Sequence, residues 1–232
     1  MSEVILSARN VRKTYDSGDA SFEALRGVTL DIREGETIAI IGRSGSGKST
    51  LMHLLALLDK PTDGSIMLDG RDTFELSTKS LNRTRNKTFG FVFQQFFLTP
   101  NQTVQENVVL PMKVGGLGRR ARNARALAVL EQLEMGDKAK SKAVNLSGGQ
   151  KQRAVIARAL VANPRVIFAD EPTGNLDTVT GQVVEDILFT LNREQGITLV
   201  VVTHDEELAS RCDRRVYLRD GRIVDERERI AA

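Results

Sequence analysis

The run Gly42-Arg43-Ser44-Gly45-Ser46-Gly47-Lys48-Ser49-Thr50 constrains this chain more than any other stretch. It satisfies G-x-x-x-x-G-K-[ST], and the residues on either side supply the context that pattern requires. Upstream, Thr37-Ile38-Ala39-Ile40-Ile41 is the short β-branched apolar run expected of a buried parallel strand. Downstream, Leu51, Leu54, Leu55 and Leu58 recur at helical spacing, with no breaker before Pro61. The glycine-rich stretch is therefore expected at a strand-to-helix junction of an α/β fold.

The residue types follow from what such a junction can bind. Glycines let backbone N–H groups wrap phosphate oxygens with no Cβ in the way. A helix starting near Lys48 aims its free N–H groups and the positive end of its dipole at the same anion. Lys48 adds a point charge for the β- and γ-phosphates, and the Ser49 hydroxyl suits Mg²⁺. A glycine-rich helix cap is the alternative, but the strand and helix around the loop favour a nucleoside-triphosphate site.

At 232 residues the chain has room for one large α/β domain or a core with a subdomain. Its charge of +3 is weak evidence for any partner, and no basic block is interleaved with aromatics, so no nucleic-acid partner is expected. A single cysteine, Cys212, excludes an internal disulfide and suits a reducing compartment. The longest apolar runs, Leu54–Leu58 and Ile197–Val202, fall well short of the ~20 residues of a membrane span. Met1-Ser2-Glu3-Val4 does not open a basic-then-apolar leader, so no signal peptide is expected. A cytosolic protein able to dock on a membrane is the expectation.

In the first forty residues, Val4–Leu6 and Val28–Ile32 read as strands, with a polar loop Asp16–Ser21 between them. Tyr15, just before that loop, suits either a ring stacked on a purine base or an ordinary half-buried strand tyrosine. Gly64–Gly70 is a strand between glycine turns, and Phe89–Phe93 is a further apolar run ending at Gln94-Gln95. Ligands of parallel sheets bind where strands end, so Gln94 suits a metal or an attacking water. Phe96-Phe97-Leu98 is either a partner surface or an apolar patch buried under its own loop. From Thr103 to Lys142 the composition turns helical. Leu127, Leu130, Leu133 and Ala124 are expected inward, and Arg119, Arg120, Arg122 and Arg125 on a solvated face. Gly115-Gly116 suggests a joint.

Asn145-Leu146-Ser147-Gly148-Gly149-Gln150 opens another helix, with Val155, Ile156, Ala159 and Leu160 on its apolar side. Ser147 and Gln150 have capping-box spacing. A cap alone does not require Gly148-Gly149, which favours a second anion-binding helix start. Val166–Ala169 runs into Asp170-Glu171, two carboxylates that are costly at a buried strand end without cationic work to do. Asp170 suits an outer ligand of Mg²⁺, and Glu171 suits the group that polarises an attacking water. The helix after Gly174–Asp177 is expected to bury Val179, Val183, Val184, Ile187, Leu188 and Leu191. His204 follows the strand Ile197–Val202; it suits a structural role or a contact to the γ-phosphate. A hairpin is expected to turn at Asp220-Gly221.

These motifs together resemble the nucleotide-binding subunits of ATP-binding-cassette transporters over nearly the whole chain. Leu146–Gln150 is similar to the motif that separates those ATPases from other P-loop proteins. Tyr15 resembles the base-stacking position, Gly42–Ser49 the Walker A loop, Gln94 the glutamine loop, and Val166–Asp170 Walker B. Glu171 resembles the catalytic glutamate, Asn175–Asp177 the D-loop and His204 the switch histidine. Phe91–Phe96, with Ala169–Asp177, is similar to the branch of lipoprotein-releasing, macrolide-export and haem- or peptide-export ATPases. Arg43 departs from the small residue or proline more common in relatives, and Phe97 replaces a common asparagine.

The resemblance implies a P-loop core of mostly parallel sheet (1–98 and 143–232) with an N-terminal antiparallel β subdomain, and a helical subdomain at 99–142. It implies ATP and Mg²⁺ as cofactors, with catalysis by Glu171, His204 and Lys48. The nucleotide contacts would be Tyr15, Gly42, Ser44, Gly45, Ser46, Gly47, Lys48, Ser49, Thr50, Gln94, Ser147, Gly148, Gly149 and Gln150. The metal ligands would be Ser49, Gln94 and Asp170. Two copies would pair head to tail on ATP. Permease subunits would be contacted through the glutamine loop and helical subdomain, placing the chain peripherally on the cytoplasmic face of the inner membrane. The alternative is a soluble cassette ATPase of an assembly system such as iron–sulfur cluster biogenesis.

Overall fold

The computed structural model describes residues 3–17 and 20–225. The chain divides into two compact units, one containing the residues up to Asn82 and those from Thr198 onward, the other Arg83–Ile197.

The first unit opens with β1 (Val4–Ser17) and β2 (Ala20–Arg33), a long antiparallel pair. Asp16 and Ser17 continue the ladder opposite Ser21 and Ala20, so most of the expected Asp16–Ser21 loop is strand. Backbone pairing carries the strands past the point where apolar alternation stops; Gly18 and Asp19 of that loop lie outside the described residues. Next come β3 (Thr37–Ile41), buried along its whole length, and α1 (Lys48–Leu55), which buries Leu51, Met52, Leu54 and Leu55. The helix stops short of Leu58, which is exposed. Leu57 takes a left-handed φ of 56°, and the following segment is held by β1: Lys13 Nζ donates to the Lys60 carbonyl at 2.8 Å and Thr14 N–H to Thr62 Oγ1 at 3.0 Å. These attachments override the helical spacing of the leucines. β4 (Asp63–Leu68) and β5 (Arg71–Asp72) complete a four-stranded antiparallel sheet in the order β2-β1-β4-β5, and α2 (Thr78–Thr88) follows, its residues from Arg83 onward belonging to the second unit.

In the second unit, β6 (Phe89–Phe93) lies parallel to a later strand and is followed by α3 (Val104–Val108), α4 (Leu110–Val114) and α5 (Arg119–Gln132). Then come α6 (Gly148–Leu160), β7 (Val166–Asp170) and α7 (Thr178–Gln195). β6 pairs with β7 from Phe89↔Val166 to Phe93↔Asp170. Gly90 lets α6 close on the strand, because an added Cβ would stand 2.8 Å from the Ala159 carbonyl oxygen.

Two helices present other faces than their leucines and valines suggest. In α5 the inward residues are Ala126, Val129 and Leu130, followed by Leu133; Leu127 and Ala124 face out. Arg125 is exposed as expected, and its guanidinium also reaches the end of α6 through the Val161 carbonyl and the Asn163 side chain. In α7, Val179 and Val183 are exposed and Ile187 is half-buried, while Val184, Leu188, Phe189 and Leu191 are buried. Asp177 caps the helix by accepting from Thr180 N–H, and Gly181 faces Thr173. The inward stripe therefore starts at Gly181 and continues through Val184, Leu188 and Leu191.

The chain then returns to the first unit with β8 (Thr198–Thr203), α8 (Glu206–Ser210), β9 (Arg214–Arg219) and β10 (Arg222–Val224). β3 lies between β8 and β9 and is parallel to both; β10 returns antiparallel on β9. Asp220 and Gly221 both take positive φ, 48° and 75°, in the expected hairpin turn. Among the described residues, no helix is long and apolar enough to cross a membrane.

Candidate functional site

The loop between β3 and α1 is built by close backbone approach. Gly47 precedes the helix at φ 102°, and an added Cβ would stand 2.6 Å from the Ala24 carbonyl oxygen of β2. Gly42 has no room either, against Leu218 O and Ser46 Oγ. Gly45, at φ 79°, has open space on its Cβ side. The start of α1 carries no side-chain cap and no acidic residue in its first turn, so its N–H groups and dipole are left to an anion. Lys48 Nζ lies across the loop, donating to the carbonyls of Gly42 at 2.8 Å and Arg43 at 3.0 Å. Ser46 Oγ is buried without a hydrogen-bond partner among the described residues. An orphaned hydroxyl, an uncapped helix start and a lysine over the loop fit a bound phosphate chain. Ser49, exposed in the first turn, is a hard oxygen donor of the kind Mg²⁺ takes.

A pocket of about 550 Å³ is lined by Gly42–Ser46 and by His204, which directly follows β8. The fold thus brings His204 to the loop. Asp205 does not share that role: its carboxylate caps α8. Tyr15 is not part of the pocket lining. On β1 it stands opposite Phe22 of β2, the strand on which Ala24 abuts Gly47. Tyr15 is 40% exposed and Phe22 59%.

In the second unit the parallel register puts Gln94 and Glu171 one step beyond the paired Phe93 and Asp170. Gln94 and Asn175 hold each other: Asn175 Nδ2 donates to the Gln94 carbonyl at 2.8 Å, and Gln94 Nε2 lies 3.5 Å from Asn175 Oδ1. Gly174 is required beside them, since its Cβ would stand 2.8 Å from Gln94 Nε2. Glu171 takes a left-handed φ of 47°. Such a backbone is uncommon for a residue with a side chain, and it re-aims the carboxylate as the chain leaves β7.

The start of α6 realises the capping box. Gln150 N–H donates to Ser147 Oγ at 3.3 Å, and Ser147 N–H donates to Gln150 Oε1 at 3.1 Å. Gly149 has a packing reason as well, because its Cβ would stand 2.5 Å from Thr180 Cγ2 of α7. Gly148 is exposed and faces Leu176.

Two residues of α6 escaped the sequence reading. Gln152 is buried and donates to the Pro172 carbonyl at 2.6 Å, just past Glu171. Arg158 donates to the carbonyls of Phe96 and Phe97. Both tie this helix to loops at the strand ends. The available signal was a polar residue on an otherwise apolar stripe: Arg158 falls among Val155, Ala159 and Leu160. Phe97 itself is largely exposed, at φ 46°, while Phe96 is half-buried with Lys151 over its ring.

The ABC transporter family model matches residues 25–174. The lipoprotein-releasing system ATP-binding protein LolD of Syntrophus aciditrophicus is 46% identical over 220 residues, covering 95% of this chain and 99% of LolD. The macrolide export ATP-binding/permease protein MacB of Brucella melitensis is 47% identical over 220 residues, 95% of this chain but 34% of MacB; the chain spans about a third of that protein. Among solved structures, the dimeric post-hydrolysis state of the ATP-binding cassette MJ0796 bound to ADP and Pi matches with a TM-score of 0.86 at 44% identity, covering 95% of this chain and 97% of that one.

Proposed function

The chain belongs to the ABC transporter family, and from that premise we propose that it energises export or extraction through separate membrane subunits. It is an ABC ATPase of the LolD and MacB type, a motor subunit that binds and hydrolyses ATP. The proposed cargo class is lipophilic: a lipoprotein, peptide, drug or haem-like molecule. The relatives named for lipoprotein release and macrolide export support this class, and they lend nothing to the iron–sulfur assembly alternative.

One observation carries the nucleotide reading: an uncapped helix start lies beside the orphaned Ser46 hydroxyl and Lys48. Phosphates would be bound by the backbone of Gly42–Ser49 and by Lys48, with Thr50 in the same first turn. Mg²⁺, carried by Ser49, Gln94 and Asp170, would offset charge on the phosphate oxygens. Glu171 would polarise the attacking water, His204 would contact the γ-phosphate, and Tyr15 would stack on the base.

Two copies would pair head to tail, with Ser147, Gly148, Gly149 and Gln150 of one copy facing the nucleotide of the other. The dimeric state of the matched MJ0796 cassette supports pairing. Residues 99–142 are proposed as a helical subdomain; antiparallel pairing of Thr103 with Lys142 ties its ends together. That segment, with Phe96–Leu98, would contact the permease, placing the chain peripherally on the cytoplasmic face of the membrane.

Glu171→Gln tests the chemistry. ATP binding should persist while single-turnover hydrolysis falls by about two to three orders of magnitude. Near wild-type turnover would remove Glu171 from the mechanism. Lys48→Ala should instead weaken ATP binding itself.

A further inference from the structure

Tyr15 has more attachments than a half-exposed strand tyrosine needs. Its hydroxyl donates to Asp59 Oδ2 at 3.1 Å. The Lys13 ammonium lies 2.9 Å from that same oxygen and 4.8 Å from the centroid of the tyrosine ring. Lys13 also donates to the Lys60 carbonyl at 2.8 Å, and Lys60 N–H donates to Asp59 Oδ1 at 2.7 Å. The cluster is not a loose surface pair: the Lys13 side chain is 13% exposed. Burial of Asp59 alone would raise its carboxyl pKa, but the hydrogen bonds from Lys13, Lys60 and Tyr15, with the Lys13 charge, hold it below the ordinary value.

Each contact removes one freedom of the ring. The hydroxyl bond sets where the ring edge lies. The ammonium sits over the ring in a cation–π contact, and the residue is still 40% exposed. Asp59 follows the end of α1, the helix whose first turn carries Lys48 and Ser49. α1 thus starts at the phosphate loop, and the segment that follows it carries the carboxylate bonded to the ring hydroxyl.

We propose that Lys13 and Asp59 are positioning residues for base recognition, holding the Tyr15 ring so that adenine meets a preset platform. This rests on the reading of Tyr15 as the base-stacking residue. Ordering a side chain before binding removes a cost otherwise charged to affinity. A surface ion pair with no such role would leave nucleotide affinity unchanged.

The test compares ATP with inorganic triphosphate, which has phosphates but no base, by titration calorimetry. Tyr15→Ala should weaken ATP binding and leave triphosphate binding unchanged. Lys13→Met and Asp59→Asn should each weaken ATP about three- to tenfold with triphosphate unchanged. Neither should add to the loss already caused by Tyr15→Ala. Tyr15→Phe, which keeps the ring and loses only the bond to Asp59, should behave like Asp59→Asn; it covers the case in which a charge variant fails to fold. Wild-type ATP affinity in Lys13→Met, Asp59→Asn and Tyr15→Phe, beside a loss in Tyr15→Ala, overturns the positioning role and spares the platform. An unchanged ATP affinity in Tyr15→Ala removes the platform and the proposal with it. Equal losses of ATP and triphosphate in the Lys13 and Asp59 variants would mean general damage, and also overturn the proposal.

Discussion

Arg158 of α6 donates from Nη1 to the Phe97 carbonyl oxygen at 2.6 Å; its Nη2 donates to Phe96 O at 3.0 Å. Burial lowers the pKa of this guanidinium, yet an arginine remains charged, so two backbone carbonyls take the place of an acidic partner. They belong to the segment where Phe97 turns left-handed, with no strand ladder to hold it. Arg158 thus ties the loop after Gln94 to the helix that Ser147 opens, on which Lys151 also lies over the Phe96 ring.

Arg158→Met should lower stability by about 2–4 kcal/mol, because it removes two hydrogen bonds to a charged group and leaves both carbonyls to find new partners. Arg158→Lys keeps the charge but cannot fork to both oxygens, and should recover only part of the loss. Urea denaturation of the two variants checks this. A midpoint unchanged in both would mean that the loop is held by its own aromatics, such as the edge-to-face pair of Phe93 and Phe97.

Gly45 and Gly47 should separate by different mechanisms. Both have positive φ, so alanine strains either backbone, at about 1 kcal/mol or more. Only at Gly47 does the new Cβ also meet backbone, the Ala24 carbonyl oxygen at 2.6 Å. Gly47→Ala should therefore cost clearly more in thermal denaturation than Gly45→Ala. The reverse order would contradict the described packing of the loop on β2.

Cys212 should be a poor nucleophile in the folded protein. Burial, with a smaller contribution from the Asp213 charge, pushes its thiol from 9.0 up to about 12. It packs against Ala39, Ile41, Ala209 and Tyr217. Thiol reagents at pH 8 should label it slowly in buffer and rapidly in denaturant. The raised folded pKa keeps the thiol neutral in the native state. Its contribution to stability is full below pH 9 and declines as pH rises from 9.0 toward 12, when the unfolded chain ionises first. Cys212→Ala should flatten that alkaline decline.

Ser147 separates a cap from an interface. Ser147→Ala should lower monomer stability by about 1 kcal/mol, the worth of a lost N-cap. Ser147→Arg, placed in the Glu171→Gln background, should in addition abolish ATP-dependent pairing in sedimentation. Equal dimer fractions with and without the arginine would leave the residue as a cap only.

The elements that were legible in the sequence are those specified by neighbours in the chain. The apolar run of β3, the glycines after it and the start of α1 at Lys48 are local signals, as are the polar residues at the ends of β6, β7 and β8. The faces of α5 and α7 were not legible in the same way. Val179 and Val183 look as apolar as Val184, and the sequence does not say that the helix turns Gly181, Val184, Leu188 and Leu191 inward instead. The same holds for Leu127 against Val129, of which only Val129 is buried. Lys13 with Asp59, and Arg158 with Phe96 and Phe97, are pairings between distant parts of the chain that no spacing rule reports. The capping box at Ser147 was legible; the close approach of Gly149 to Thr180 was not.

Glu171 sits at φ 47°, where glycine is at ease and a residue with a Cβ carries a local cost of about 1 kcal/mol or more. With Glu171 in its proposed role at the attacking water, backbone comfort and hydrolysis pull this position toward different amino acids. Laboratory evolution that ranked clones by melting temperature alone would tend to accept Glu171→Gly, and would select a better-behaved protein with an idle motor. A campaign to stabilise this chain should therefore hold position 171 fixed, or screen each round for phosphate release.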